Sequence, residues 1–143
     1  MSISKQKSAK TSHVLGIDFG QAKVGLALAD TETKIAFAYA TIKNSKNLLA
    51  DLEKIIEKEN IIMIVIGVPG YLAVAKEKSD QKSLGKLLEI NTGVPIAYFE
   101  EMFTTRMAQA NLKEKGAKHV SKIDDKEAAR IILQEYLDKN AKL

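Results

Sequence analysis

Eighteen acidic side chains are present, and those of interest stand at element ends where a carboxylate can be turned toward a shared site. Asp18 closes the apolar run 14–17 in GIDFGQAKVG, and Gly20 beside it lets a second backbone or a phosphate approach closely. Glu100 and Glu101 follow the apolar run 96–99. Strand alternation sends them to opposite sides, so one of the two enters a shared site, and alternation alone leaves the choice open. Asp124 and Asp125 open the last helical pattern. At about 100° per residue, Asp125 lines up with Ala129, Ile132 and Tyr136 on the apolar stripe, whereas Asp124 falls about 100° to the side. An acid on a buried face must be paired, cap the helix or bind a metal, which favours Asp125 over Asp124. The plainer readings are a turn cap for Asp18 and an ordinary acid at a helix N-terminus for Asp125. Three carboxylates from three element ends form an all-oxygen donor set suited to Mg2+ or Mn2+. The matching chemistry is phosphodiester hydrolysis, with the acids as ligands and no covalent enzyme intermediate.

Phosphates need cations and free amides. Lys23 lies close to Asp18 in sequence, while Thr104, Thr105 and the amides of the helix they open, with Arg106, suit a second phosphate. From Arg106 to Lys122 there are five basic side chains, Lys118 and Lys122 among them, against the single acid Glu114. Such a patch attracts a nucleic-acid backbone, and equally serves solubility. His119 in this stretch suits phosphate contact or solvation better than metal ligation, and His13 precedes the first strand. The net charge of +4 owes much to Lys5, Lys7 and Lys10, which no acid accompanies in residues 1–12. The remainder is near neutral, so the overall charge does not identify a ligand.

At 143 residues and 45% hydrophobic content, the chain supports one core. The expectation is a flexible basic leader over residues 1–12 and a single domain over 13–143. With no cysteine, disulfides and thiolate metal sites are excluded. No apolar run approaches the roughly 18 residues of a membrane span, so a cytoplasmic protein without a membrane partner is expected. Apolar patterning predicts strands over 14–17, 24–29 and 35–39, an amphipathic helix over 47–59, and a buried strand over 61–68 running into Gly-Val-Pro-Gly. A helix over 76–88, a turn at 91–93, a strand over 96–99, and helices over 104–115 and 125–137 complete the pattern. The order βββαβαβαα implies an α/β fold in which a mixed five-stranded sheet carries helices on both faces. The first glycine turn leads into a strand and not a helix, which separates this chain from doubly wound nucleotide-binding domains.

The motifs GIDFGQAKVGLALAD, IGVP, EEMFTTRMA and DKEAARIILQEYLD, in this order and spacing, resemble those of the YqgF or RuvX-like nucleases, which have an RNase H-like, resolvase-type fold. The resemblance covers residues 14–138. It implies that Asp18, Glu101 and Asp125 form the acidic triad; Glu100 and Asp124 stay open as further candidate ligands of Mg2+ or Mn2+. It also implies a nucleic-acid partner. Maturation of the 5′ end of precursor 16S rRNA is the favoured role, and resolution of Holliday junctions in branched DNA is the nearest rival. The oligomeric state is left undetermined. The chain departs from the family where Asp-Glu-Arg is usual before the Thr pair, with Glu100-Glu101-Met102 instead. The missing guanidinium fork removes one contact, for which Arg106 is the nearest substitute. Ala22-Lys23 likewise replaces a Lys-Arg pair, and GYLAVAKEK replaces a polar loop after IGVP. Two other classes compete with the nuclease. One is a non-catalytic nucleic-acid or ribosome-assembly module. The other is a nucleotide-binding domain of the actin or sugar-kinase kind, which needs a second phosphate hairpin and a second lobe that this length does not provide.

Overall fold

Five apolar runs become the strands of one sheet, and the helical patterns between them become its cover. In a computed structural model, which describes residues 11–69, 80–101 and 124–140, the elements are β1 (His13–Phe19), β2 (Lys23–Asp30), β3 (Ala36–Lys43), α1 (Leu48–Lys58), β4 (Ile61–Pro69), α2 (Asp80–Thr92), β5 (Ile96–Glu101) and α3 (Asp125–Lys139). The sheet order is β3-β2-β1-β4-β5. The first three strands pair antiparallel, and β1, β4 and β5 run parallel. This is the expected mixed sheet. The helix expected over 104–115 lies outside the described residues, as do residues 1–10 of the expected leader, whereas Ser12 accepts a backbone hydrogen bond from Thr31.

Alternation divides the core into two layers. Leu15 and Ile17 of β1 join Val24, Leu26 and Leu28 of β2 beneath α1 and α2, with Leu52 and Leu88 as the helical partners. Val14 of β1 and Ala27 and Ala29 of β2 face the other way and meet Ala129, Ile132, Leu133 and Leu137 of α3. Each large side chain buried here contributes roughly 1.5–3 kcal/mol. The α3 side of β1 and β2 is built from small residues, so the helix lies close against the sheet. A Cβ on Gly16 would stand 2.8 Å from Leu133 Cβ and 3.3 Å from the Ala129 carbonyl oxygen.

Two boundaries differ from expectation for local reasons. The third strand starts at Ala36 and continues to Lys43 instead of ending at Tyr39. Its pairing with β2 shifts register between Leu26 and Ala27; this bulge absorbs one extra residue and lets the ladder continue. Ile35 is left out and is 64% exposed, following Lys34 at φ 59. The helix expected to stop at Leu88 runs on to Thr92. Asn91 and Thr92 read as turn residues, but the Asn91 amide donates to Glu53 of α1 and the Thr92 hydroxyl donates to the Leu88 carbonyl, so both side chains are satisfied within a helix. Gly93 ends it at φ 75, as an αL cap does.

Candidate active site

The two-residue period of β1 carries Val14, Gly16 and Asp18 toward α3, and Asp18 is the last of them. It is 3% exposed, and among the described residues it alone of the polar and charged side chains is buried. Its partner across the ladder is Gly25 of β2. A Cβ on Gly25 would lie 1.9 Å from the carbonyl oxygen of Asp125 and 2.9 Å from the amide nitrogen of Lys126. The absence of that one carbon therefore lets the first turn of α3 rest on the backbone of β2 directly beside Asp18.

The paired acids at this turn have separate duties. Asp124 is the N-cap of α3, in extended conformation, and its Oδ1 accepts from the Lys126 amide at 3.3 Å. The same oxygen accepts from the Thr41 hydroxyl at 3.2 Å, and Thr41 stands opposite Gly25 on β3. Asp124 thus ties the helix to the sheet and is exposed, whereas Asp125 is half-buried. Asp124→Ala is expected to lower stability by about 1 kcal/mol through loss of the cap, measured by urea unfolding. The cleavage proposed below should fall far less than in Asp125→Asn; equal losses would mean that Asp124 is itself a ligand.

The C-terminal ends of the parallel strands β1, β4 and β5 lie at one edge of the sheet, so Asp18 and the end of β5 are two strand spacings apart, roughly 10 Å. Phe99 of β5 packs on the α3 side, edge-on to Tyr136 with ring centroids 6.2 Å apart. Ile96 packs in the layer beneath α1 and α2, and the Tyr98 hydroxyl reaches the Lys82 carbonyl of α2. Glu100 therefore belongs to the phase of Ile96 and Tyr98, exposed and turned away from α3. Glu101 is the next and last residue of β5. Its side chain lies outside the described residues, as do Thr104, Thr105, Arg106, Lys118, His119 and Lys122.

Lys23 opens β2 at the same edge and is exposed. His13 lies at the far end of β1, where its Nδ1 is 2.9 Å from the Glu59 carbonyl oxygen, so it takes no part in the site. No group of three or more His, Asp or Glu gathers closely among the described residues, and the candidate donors they include are Asp18 and Asp125. These residues fit a hard divalent cation: both donors are carboxylate oxygens, one is withdrawn from solvent, and the chain contains no thiol to favour a softer metal. Sequence reasoning missed Thr41 as a neighbour of the site, since it fell beyond the expected end of its strand.

The family model described as RuvX, Holliday junction resolvase, matches residues 12–139. A protein of Protochlamydia amoebophila, described as a candidate pre-16S rRNA nuclease, is 34% identical over 93% of this chain and 97% of its own length. Thermus thermophilus RuvC, solved with a Holliday junction substrate, superposes with a TM-score of 0.57 at 13% identity, covering 92% of this chain and 96% of its own. Fowlpox virus resolvase, solved with Holliday junction DNA, gives 0.58 at 12% identity, covering 91% and 99%. At these identities the likeness to the solved structures is one of fold, the RNase H-like fold of resolvases. No helix among the described residues is long and apolar enough to cross a membrane.

Proposed function

This chain belongs to the RuvX family, and from that premise we propose that it is a divalent-metal-dependent endonuclease that matures the 5′ end of precursor 16S rRNA. The observation that carries the reading is the buried Asp18 carboxylate, set beside a glycine that admits the acidic first turn of α3. A buried carboxylate next to the acidic first turn of a helix offers the anionic oxygens that a hard divalent cation takes. Asp18 and Asp125 hold the ion. Glu101 is the third ligand, because it follows Glu100 in a strand whose even positions turn away from α3. Bound Mg2+ or Mn2+ supplies an activated water and stabilises the leaving oxygen of a phosphodiester. Lys23, Thr104, Thr105, Arg106, Lys118, His119 and Lys122 bind the phosphate backbone and fix its path across the sheet edge.

Relatives named for pre-16S rRNA support the RNA substrate. The family description, together with resolvases of the same fold solved on junctions, favours a second reading in which branched DNA is cut. The test offers the purified full chain a labelled 5′-extended 16S precursor and a four-way junction at equal concentration, with Mg2+, with Mn2+ and with EDTA. We expect metal-dependent cleavage of the RNA near the mature 5′ end and at least tenfold slower cutting of the junction. Preferred cutting of the junction would establish the second reading. Salt-sensitive binding without metal-dependent cleavage of either substrate would leave a binding module and end the nuclease proposal.

A further inference from the structure

The β2–β3 register places Lys23 and Lys43 directly opposite each other at the sheet edge that carries Asp18. Thr41, two residues before Lys43, faces α3, since its hydroxyl reaches Asp124. Gly25, two residues after Lys23, faces α3 as well, since Asp125 rests on it. Both lysines therefore share the face of the acidic site, one pleat beyond the level at which Asp18 and Gly25 pair. Both are exposed, and among the described residues neither ammonium has a hydrogen bond or ion pair.

Two features make this pair more than loose surface charge. Like charges directly opposite in an antiparallel ladder repel and cost stability. The backbone beneath them is also pinned, because Gly20 donates to the Lys23 carbonyl at 3.0 Å, Asn44 donates to the Ala22 carbonyl at 3.0 Å, and the Asn44 side chain donates to the Gly20 carbonyl at 2.7 Å. Opposed Cβ atoms lie about 5 Å apart in such a ladder, a span at which two ammonium groups can close on the oxygens of one phosphate. A bound phosphate turns the repulsion into attraction.

We infer that Lys43, together with Lys23, forms a clamp for a backbone phosphate of the nucleic-acid strand next to the bond being cut. Lys43 is thus a substrate-positioning residue. The inference rests on the nuclease reading for its ligand and goes beyond it in assigning Lys43.

Binding is measured in EDTA, where no cleavage occurs, between a labelled 5′-extended 16S precursor and the full chain over about 50–200 mM salt. Lys43→Gln is expected to raise Kd about tenfold at the lowest salt and to lower the slope of log K against log salt by about one; the double variant with Lys23→Gln should lower it by about two. Lys43→Arg should bind as the wild type does. Lys54→Gln, an exposed site on α1 across the sheet, removes the same net charge and should leave the slope unchanged. The melting temperature of Lys43→Gln should equal or exceed that of the wild type, as removal of a repulsion requires. If Lys43→Gln and Lys54→Gln have equal effects, the clamp is wrong even where the wild type cleaves RNA. If the wild type binds neither precursor RNA nor a four-way junction, the clamp and the nuclease reading fall together.

Discussion

Asp18→Asn should reduce metal-dependent cleavage by roughly a thousandfold or more, while the variant folds and binds nucleic acid in EDTA as the wild type does. Asparagine keeps the size and shape of the side chain at a position only 3% exposed, so packing between β1 and α3 survives. What disappears is one negative charge, and a hard divalent cation depends on anionic oxygen. The expected rate loss corresponds to about 4 kcal/mol of transition-state stabilisation, reasonable for a group that holds the ion. Stability gives a second readout that does not depend on turnover. Adding Mg2+ or Mn2+ at ten times its Kd should stabilise the wild type by about 1.4 kcal/mol through mass action, a rise of roughly 4 °C for a chain of this size. The variant should show little of that rise. A variant that cleaves at more than a tenth of the wild-type rate, or gains as much stability from the metal, would remove Asp18 from the site.

The parts legible in the sequence were those that follow from a period. The helical phase of Asp125 against Ala129 and Ile132 set it apart from Asp124, and the structure has Asp125 half-buried and Asp124 exposed as the N-cap. The apolar runs gave the parallel and antiparallel strands for the same reason, since each face of β1 must be covered. Features set by register were not legible. The bulge in the β2–β3 pairing has no strong local signature, and it determines that β3 reaches Thr41 and Lys43. Without it, the tie from Thr41 to Asp124 and the opposition of Lys23 and Lys43 have no place in a reading of the chain. Asn91 and Thr92 misled because their turn preference is a competition between side-chain and backbone hydrogen bonds. Here tertiary partners settled that competition in favour of the helix.

Gly25→Ala tests the other half of the site, its seating, and should be the most disruptive single-methyl change in the described sheet. The added Cβ would lie 1.9 Å from the Asp125 carbonyl oxygen and 2.3 Å from its carbonyl carbon. Both are backbone atoms, so no side-chain rotation relieves the overlap and α3 must move as a body. Overpacking of this kind costs about 3 kcal/mol or more, measured by urea unfolding. Where the protein stays folded, Asp125 is displaced from Asp18, and a shift of about 1 Å in a catalytic group costs roughly a hundredfold in rate. Gly16→Ala supplies the comparison. Its closest contact is Leu133 Cβ at 2.8 Å, two turns further along α3, so it should cost about 1–2 kcal/mol and disturb cleavage much less. Equal stability losses with equal effects on rate would mean that α3 acts only as cover. A rate loss concentrated in Gly25→Ala means that the missing carbon at Gly25 brings the two carboxylates together, and that this glycine belongs to the site although it contributes no atom to the chemistry.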